Sequence, residues 1–418
     1  MTRPRDRQAN SGSAFRQDEG SCMQEIERDA LRWIQRHQGD LVAQLQRLVS
    51  VPSVVGAEGE CQQVVAALLR GPCDSVDVWE PDASWLEQHP AYSLRGTNFT
   101  GRPNVVGVVE GRGGGRSLIL NAHVDVVDPG PPEAWQHAPW SGAIAGGRVY
   151  GRGAADDKAG LATLSTIQRG YRADAAIVFE PSDLDLCPAS RGGQAFRVTV
   201  TGKGAHPIRS YEGVSALEKA LPVLTALKEL ERARQERLRT PLFERYPVFA
   251  PIVIGKISAD RIPSKVPETC VFEGLMGYAP DETCGEARQD LEGCVARVAS
   301  TDAWLRQHPP AIEWLGLNKE GARTPADHPL VRLMSTSFLD VMERRPAIVG
   351  FPAGCDLPLL QKYGGMPSLV FGPGNCTLAH SSNEHVPIHE VVSAAKILAI
   401  TVLRWCGTRQ GPARSPSA

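Results

Sequence analysis

Ser117-Leu118-Ile119-Leu120-Asn121-Ala122-His123-Val124-Asp125-Val126-Val127 is the stretch on which the fold turns. It opens as an apolar run of strand length and closes in residues that carry chemistry. Side chains alternate along a strand, so His123 and Asp125 point to the same face. Ligands of open α/β sheets bind at strand ends. A histidine with a carboxylate two residues on suits a metal ligand and the acid that orients its ring. Taken alone, such a pair occurs on any surface.

The chain on either side supports an α/β layout. Asn104–Glu110 reads as a strand joined to Ser117–Ala122 through the glycine run 111–116, a hairpin turn whose spacing fits no nucleotide fingerprint. Upstream, Leu31, Ile34, Leu41, Leu45 and Leu48 recur at helical spacing and predict one amphipathic helix over Arg28–Val49. Downstream, a helix is expected over Lys158–Arg169 and a short buried strand over Ala175–Phe179, ending at Glu180-Pro181. At Ala195 the pattern changes. Phe196, Val198 and Val200 alternate with Arg197, Thr199 and Thr201, as in a half-solvated antiparallel strand. A helix from Val214 to Leu227, strands at Ile252–Ile257 and Cys270–Gly277, and a helix at Thr283–Ala299 complete an α+β insert. The buried pattern returns after Leu317 with a helix at Pro329–Arg344, a strand at Ser368–Phe371 and a helix at His389–Trp405. The expected division is a disordered leader (1–22), a first part of the α/β domain (23–193), the insert (194–310), a second part (311–406) and a tail (407–418).

Composition removes several function classes. With 45 Lys and Arg against 47 Asp and Glu, the net charge is −2, which argues against gripping nucleic acid or an anionic membrane. No stretch reaches the ~18 consecutive apolar residues of a membrane span. The 10 cysteines are scattered with no C-x-x-C, so reduced thiols in a cytoplasmic protein are expected. Residues 1–22 lack the apolar core of a targeting signal.

Further chemistry collects at loops. Asp156 lies in Gly151-Arg152-Gly153-Ala154-Ala155-Asp156-Asp157-Lys158, a glycine-rich turn before the expected helix. Glu180 closes a strand, His206 follows Gly202-Lys203-Gly204-Ala205, and His380 sits in Ala379-His380-Ser381-Ser382-Asn383-Glu384. Histidines and carboxylates at positions after strands are the material of a zinc or dizinc hydrolase.

These motifs, in this order, resemble the metallopeptidase family of acetylornithine deacetylase, succinyl-diaminopimelate desuccinylase, aminoacylase and glutamate carboxypeptidase, over roughly Met23 to Trp405. The resemblance implies an α/β, zinc-peptidase-like catalytic domain, its mixed central sheet flanked by helices. It also implies an inserted α+β lid that mediates homodimerisation, two zinc or cobalt ions, and cleavage of an N-acyl amino acid or peptide. Carried over by position, His123 and Glu180 bind one metal, Asp156 bridges, and His380 binds the second. Asp125 holds the His123 ring, and His206 polarises the scissile carbonyl from the lid, its own or that of a partner subunit.

Two departures stand out. The family carries a Glu-Glu pair between the bridging aspartate and the strand-end glutamate, one as general base and one as metal ligand. Here 24 positions separate Asp156 from Glu180, and none between them is Glu. One strand-helix unit is missing, which leaves the general base unknown and one metal site well formed. At Leu275, relatives often have an arginine for the substrate carboxylate. The sequence therefore admits an active metal-dependent amidohydrolase, an impaired relative that binds metal or ligand without efficient hydrolysis, or a gap introduced by gene prediction. The resemblance also implies a cis peptide at Asp156–Asp157.

Overall fold

The computed structural model describes residues 12–92, 96–157, 166–260 and 262–407, with the side chains of 12–22 left aside. Most of the helix expected over Lys158–Arg169 thus lies outside the described residues. Within the expected leader, residues 12–22 belong to a helix. The opening amphipathic stretch is two helices, α1 (Gly12–Arg36) and α2 (Gln38–Ser50), parted at His37. A third, α3 (Gly59–Leu69), follows.

Two strands that the sequence joins as a hairpin belong to different sheets. β2 (Asn104–Val108) pairs antiparallel with β1 (Ser75–Trp79), a strand not anticipated from the sequence. β3 (Leu118–Asn121) instead forms the edge of the central sheet, beside β6 (Ala175–Val178). A small three-stranded sheet lies between them in the chain. It consists of β4 (Ala143–Ala145), β5 (Arg148–Tyr150) and, from near the C-terminus, β15 (His385–Pro387).

The central sheet runs β12-β7-β14-β6-β3, with β13 beside β7. Its remaining strands are β7 (Leu186–Ser190), β12 (Ala322–Arg323), β13 (Ile348–Phe351) and β14 (Ser368–Val370). It is mixed: β3, β6 and β14 are parallel, whereas β14 and β7 are antiparallel. Every residue of β6 and β7 is buried, as expected of strands covered on both faces. Ile177, Leu186, Leu369 and Phe371 pack on helices α6 (Pro329–Met342) and α7 (Ile388–Cys406) through Met334, Phe338, Ile397 and Trp405. Ala176, Val178 and Val370 pack on the other side against Phe351, Leu357 and Leu360.

The insert has its own sheet, ordered β11-β8-β10-β9 and wholly antiparallel. β8 (Gly192–Thr201) pairs with β10 (Thr269–Tyr278) over ten residues in unbroken register. β9 (Ile252–Ala259) is one edge and β11 (Ala311–Lys319) the other, so the sheet continues past Pro310, where the sequence reading closes the insert. Phe196, Val198, Val200 and Phe272 form the buried face, under helices α4 (Ala216–Arg237) and α5 (Cys284–Thr301). On the solvent face Arg197 stands in register between Glu273 and Glu313 and bonds both, at 2.8 and 3.0 Å. Ser215 caps α4, and a Thr283/Glu286 capping box starts α5. No helix among the described residues is long and apolar enough to cross a membrane.

Candidate metal centre

Sheet register places the first two site residues. Asn121 of β3 pairs with Val178 of β6. Each chain leaves its strand there, and two residues on stand His123 and Glu180. The neighbouring β14 pairs Val370 with Val178, which brings Gly372 alongside Glu180. A Cβ at Gly372 would lie 2.6 Å from the Glu180 carbonyl oxygen, so only glycine lets the two backbones meet.

Asp156 reaches the same point from a different sheet. Its loop follows β5 and is wrapped around one fully buried carboxylate, Glu384. Glu384 Oε1 accepts hydrogen bonds from the backbone N–H groups of Gly153, Ala155 and Asp156, each at 3.0 Å. Its Oε2 accepts from Arg152 Nη1 at 2.7 Å, and the same nitrogen donates to the Ser381 carbonyl at 3.1 Å. The Arg152 guanidinium also lies over the Trp135 ring, 5.1 Å from its centre. The pairing of His385 with Tyr150 ties this loop to the one that bears His380. Glu384 thus fixes two loops more than two hundred positions apart. The sequence places it only inside a family motif, because nothing local marks a glutamate that accepts from a distant turn.

The donors converge. His123 Nε2 is 3.4 Å from Asp156 Oδ1 and 3.9 Å from Glu180 Oε1. One donor atom from each of His123, Asp156 and Glu180 lies within 4.8 Å of the others. Ligands 2.0–2.2 Å from a tetrahedral zinc stand about 3.4 Å apart, so one nitrogen and two carboxylate oxygens fit such an ion with small adjustment. The other Asp156 oxygen faces His380, whose Nε2 is 3.1 Å from Oδ2. His380 holds that position from a left-handed backbone (φ 62°) with 65% of its side chain exposed. Among the described residues this second position has two donors.

His123 Nδ1 donates to the backbone carbonyl of Asp125 at 3.2 Å, with the carboxylate Oδ1 farther off at 3.6 Å. Asp125 therefore orients the ring first through its main chain. His206 stands apart in the insert, exposed, its Nδ1 accepting from the Ile208 N–H at 3.3 Å. Leu275 is half-buried in β10, in register with Ala195 and Val253. Asp183 accepts from Asn375, and Asp185 pairs with Arg245. The Asp156–Asp157 bond is trans, contrary to the cis peptide implied by the resemblance.

Electrostatics mark the cluster as short of positive charge. Burial pushes the Asp156 carboxyl up to about 6; His380 and Arg152 pull it down, while Glu384 and Asp125 push it up. Glu180 lies well above the usual carboxylate range because it is buried and faces Asp156, Asp157 and Asp356. Burial also acts to raise Asp125, but the His123 hydrogen bond and charge outweigh it and hold that carboxyl low. A divalent cation answers this imbalance directly. No disulfide forms among the described cysteines.

The profile of Peptidase family M20/M25/M40 matches residues 119–404. The N-formyl-4-amino-5-aminomethyl-2-methylpyrimidine deformylase of Bacillus subtilis (strain 168) is 27% identical, over 90% of this chain and 97% of its own. That alignment spans 440 positions, more than the 418 residues here, so the relative carries stretches with no counterpart in this chain. The acetylornithine deacetylase of Myxococcus xanthus is 26% identical over 73% of this chain and 85% of its own. Among solved structures, the di-peptidase Dug1p from Saccharomyces cerevisiae superposes with a TM-score of 0.67 at 14% identity, covering 94% of this chain and 99% of that one. The last likeness concerns fold alone.

Proposed function

This chain belongs to peptidase family M20/M25/M40, and on that premise we propose a metal-dependent amidohydrolase that holds one divalent ion well and turns over slowly. Its substrate is a small N-acyl compound: an N-acyl amino acid, a short peptide or, like the substrate of the Bacillus relative, an N-formyl amine. The observation that carries the reading is the His123–Asp156–Glu180 set, three converging donors with no described glutamate at the base position. These three residues would hold zinc or cobalt, which supplies Lewis acidity toward the scissile carbonyl. Asp125 fixes the His123 ring, and His380 shares Asp156 as a weak second position. A missing general base costs ~10²–10⁴ in rate.

The insert supports a homodimer. Its edge strand β9 exposes Val253 and Ile257, and the adjoining helix α4 exposes Leu217 and Leu221. In such a dimer the exposed His206 would serve the carbonyl from the partner's lid. Scattered thiols without disulfides agree with a reducing, cytoplasmic setting.

The test pairs elemental analysis with turnover on N-formyl-4-amino-5-aminomethyl-2-methylpyrimidine, N-acetylornithine and a set of N-acetyl amino acids. We expect about one metal per chain, lost on His123→Ala, and turnover below the ordinary ~1–10³ s⁻¹. Two metals with ordinary turnover would overturn the impairment. Bound metal with no turnover on any substrate would favour a binding protein instead.

A further inference from the structure

Residues 241–250, in the connection from α4 to β9, form a strap that lies on the central sheet. Phe243 and Phe249 pack on Ala189 of β7. Gly350 of β13 stands in register with Ala189, and a Cβ there would lie 2.2 Å from the Phe243 ring, so glycine is what admits the ring. Arg191, just past β7, donates to the Phe249 carbonyl at 2.7 Å. On the insert side Gln235 of α4 holds the same strap. Its Oε1 accepts from the Phe249 N–H at 3.0 Å, and its Nε2 donates to the Ala250 carbonyl at 2.8 Å.

From this strap Arg245 reaches Asp185, Nη1 to Oδ2 at 2.7 Å, and the Asp185 side chain is only 14% exposed. Asp185 closes a tight turn that begins two residues after Glu180. Its N–H donates to the Ser182 carbonyl at 2.9 Å. The two residues between them, Asp183 and Leu184, both have positive φ, 55° and 61°. Turns of this kind favour Asn and Gly, and a leucine in the left-handed region is strained. Such a turn has to be held by its surroundings. Gly372 holds its near side: its carbonyl accepts from the Leu184 N–H at 3.1 Å, and its N–H donates to Ser182 Oγ at 3.0 Å. Gly372 is also the residue against which the Glu180 backbone lies. Glu180 and the turn thus share one support, and the Arg245 ion pair fixes the far end.

We propose that Arg245 is a positioning residue for the metal centre: its ion pair with Asp185 keeps the left-handed turn closed and so holds Glu180 in the donor set. The inference rests on the metal-centre reading above and makes that centre depend on a strap of the insert. Without the guanidinium a largely buried carboxylate loses its cation. The turn then relaxes toward water and carries Glu180 out of line with His123 and Asp156.

The experiment uses the purified full chain, with zinc affinity read by competition with a chelating dye and geometry by the visible absorption of cobalt-loaded protein. Arg245→Met should weaken zinc binding about tenfold and change the cobalt spectrum. The contact joins one nitrogen to one oxygen, so Arg245→Lys should restore most of both. Lys219→Met, which removes the 2.6 Å pair with Asp302 inside the insert, should change neither. If Arg245→Met does not fold, Asp185→Asn removes the same pair and carries the same expectation. Wild-type affinity and spectrum in the variant overturn the positioning role and leave the metal centre standing. So does a loss that Arg245→Lys fails to restore, or one that Lys219→Met matches, which would reduce the pair to stability of the insert. If wild type itself binds neither zinc nor cobalt, the metal-centre reading falls and this one with it.

Discussion

The two sheets of this protein were built under opposite constraints. The sheet of the insert is antiparallel, with β8 and β10 matched over ten residues and one face in solvent. The central sheet is mixed, its strands two to five residues long, with β6, β7 and β14 wholly buried. The first could lose a turn or lengthen a loop and still bury its face. The second depends on each short strand having neighbours, and at β3 that condition lapses. β3 is an edge of the central sheet, whereas β2, the preceding strand, belongs with β1 in a separate two-stranded sheet. Leu120 of β3 and Val109 after β2 are both exposed. The division between the sheets falls beside the strand that delivers His123, and no glutamate occurs between Asp156 and Glu180.

Supplying the strand-helix unit that the proposed function takes to be missing is the strongest way to break this contrast. A chimera with a strand-helix segment bearing a Glu-Glu pair inserted after Lys158 should raise turnover by ~10²–10⁴ and bring metal from about one to two per chain. A chimera that folds, as judged by calorimetry, yet keeps one metal and unchanged turnover would show that the segment is not what limits this protein.

Each half also contains one fully buried arginine paired with a glutamate, which sharpens the comparison. Arg152 bonds Glu384 at 2.7 Å beside the metal centre. In the insert, Arg234 bonds Glu282 at 2.8 Å and also pairs with Asp290. Removing Glu384 leaves the buried Arg152 guanidinium without a carboxylate, at about 3–5 kcal/mol, whereas Arg234 keeps Asp290 after Glu282→Ala, so Glu384→Ala should lower the melting temperature more. The two variants should also differ in function. Glu384→Ala also frees the N–H groups that hold the Asp156 loop and should weaken zinc binding by about 10–100-fold, the usual effect of losing a group that supports a metal ligand. Glu282→Ala should leave zinc affinity within about twofold. Equal losses in both variants would mean that Glu384 serves stability alone.

How much the sequence revealed follows the same division. The insert was legible where one face meets water, because Phe196, Val198 and Val200 alternate with polar residues and their period is visible without partners. β11 escaped notice because it is an edge strand with an irregular register between Trp314 and Asn318, so its alternation is interrupted. In the central sheet, strands surrounded by protein carry no alternation, and the apparent hairpin of β2 and β3 rested on proximity in the chain alone. The converging donors were legible as a family pattern, and register explains why His123 and Glu180 meet. The grip of Glu384 on a turn 228 to 231 positions away had no local signal.

The smallest effect expected is on the pH dependence of the metal-free protein. The Asp156 carboxyl titrates near 6 in the folded chain, against about 3.8 when unfolded, chiefly because it is buried. A raised acid binds its proton more tightly in the native state than in the unfolded one. Between pH 4 and 6 the folded protein therefore holds more protons, and stability must fall as pH rises through that window before levelling off above it. For this group the loss is on the order of 3 kcal/mol, and Glu180, raised in the same direction, adds to it. Zinc reverses the trend, because it competes with those protons, so its affinity should climb from pH 4 upward and keep climbing past pH 6, until Glu180 and the His123 ring have also lost theirs. Chemical denaturation of apoprotein and zinc-loaded protein at pH 4.5, 6 and 7.5 measures both slopes. His380 pulls Asp156 down, so His380→Ala should steepen the apoprotein's loss and Asp156→Asn should flatten it. The insert contributes no carboxylate to the groups that set the Asp156 or Glu180 titration. An apoprotein whose stability is flat across this range, or rises with pH, would mean that the cluster is already balanced without a metal.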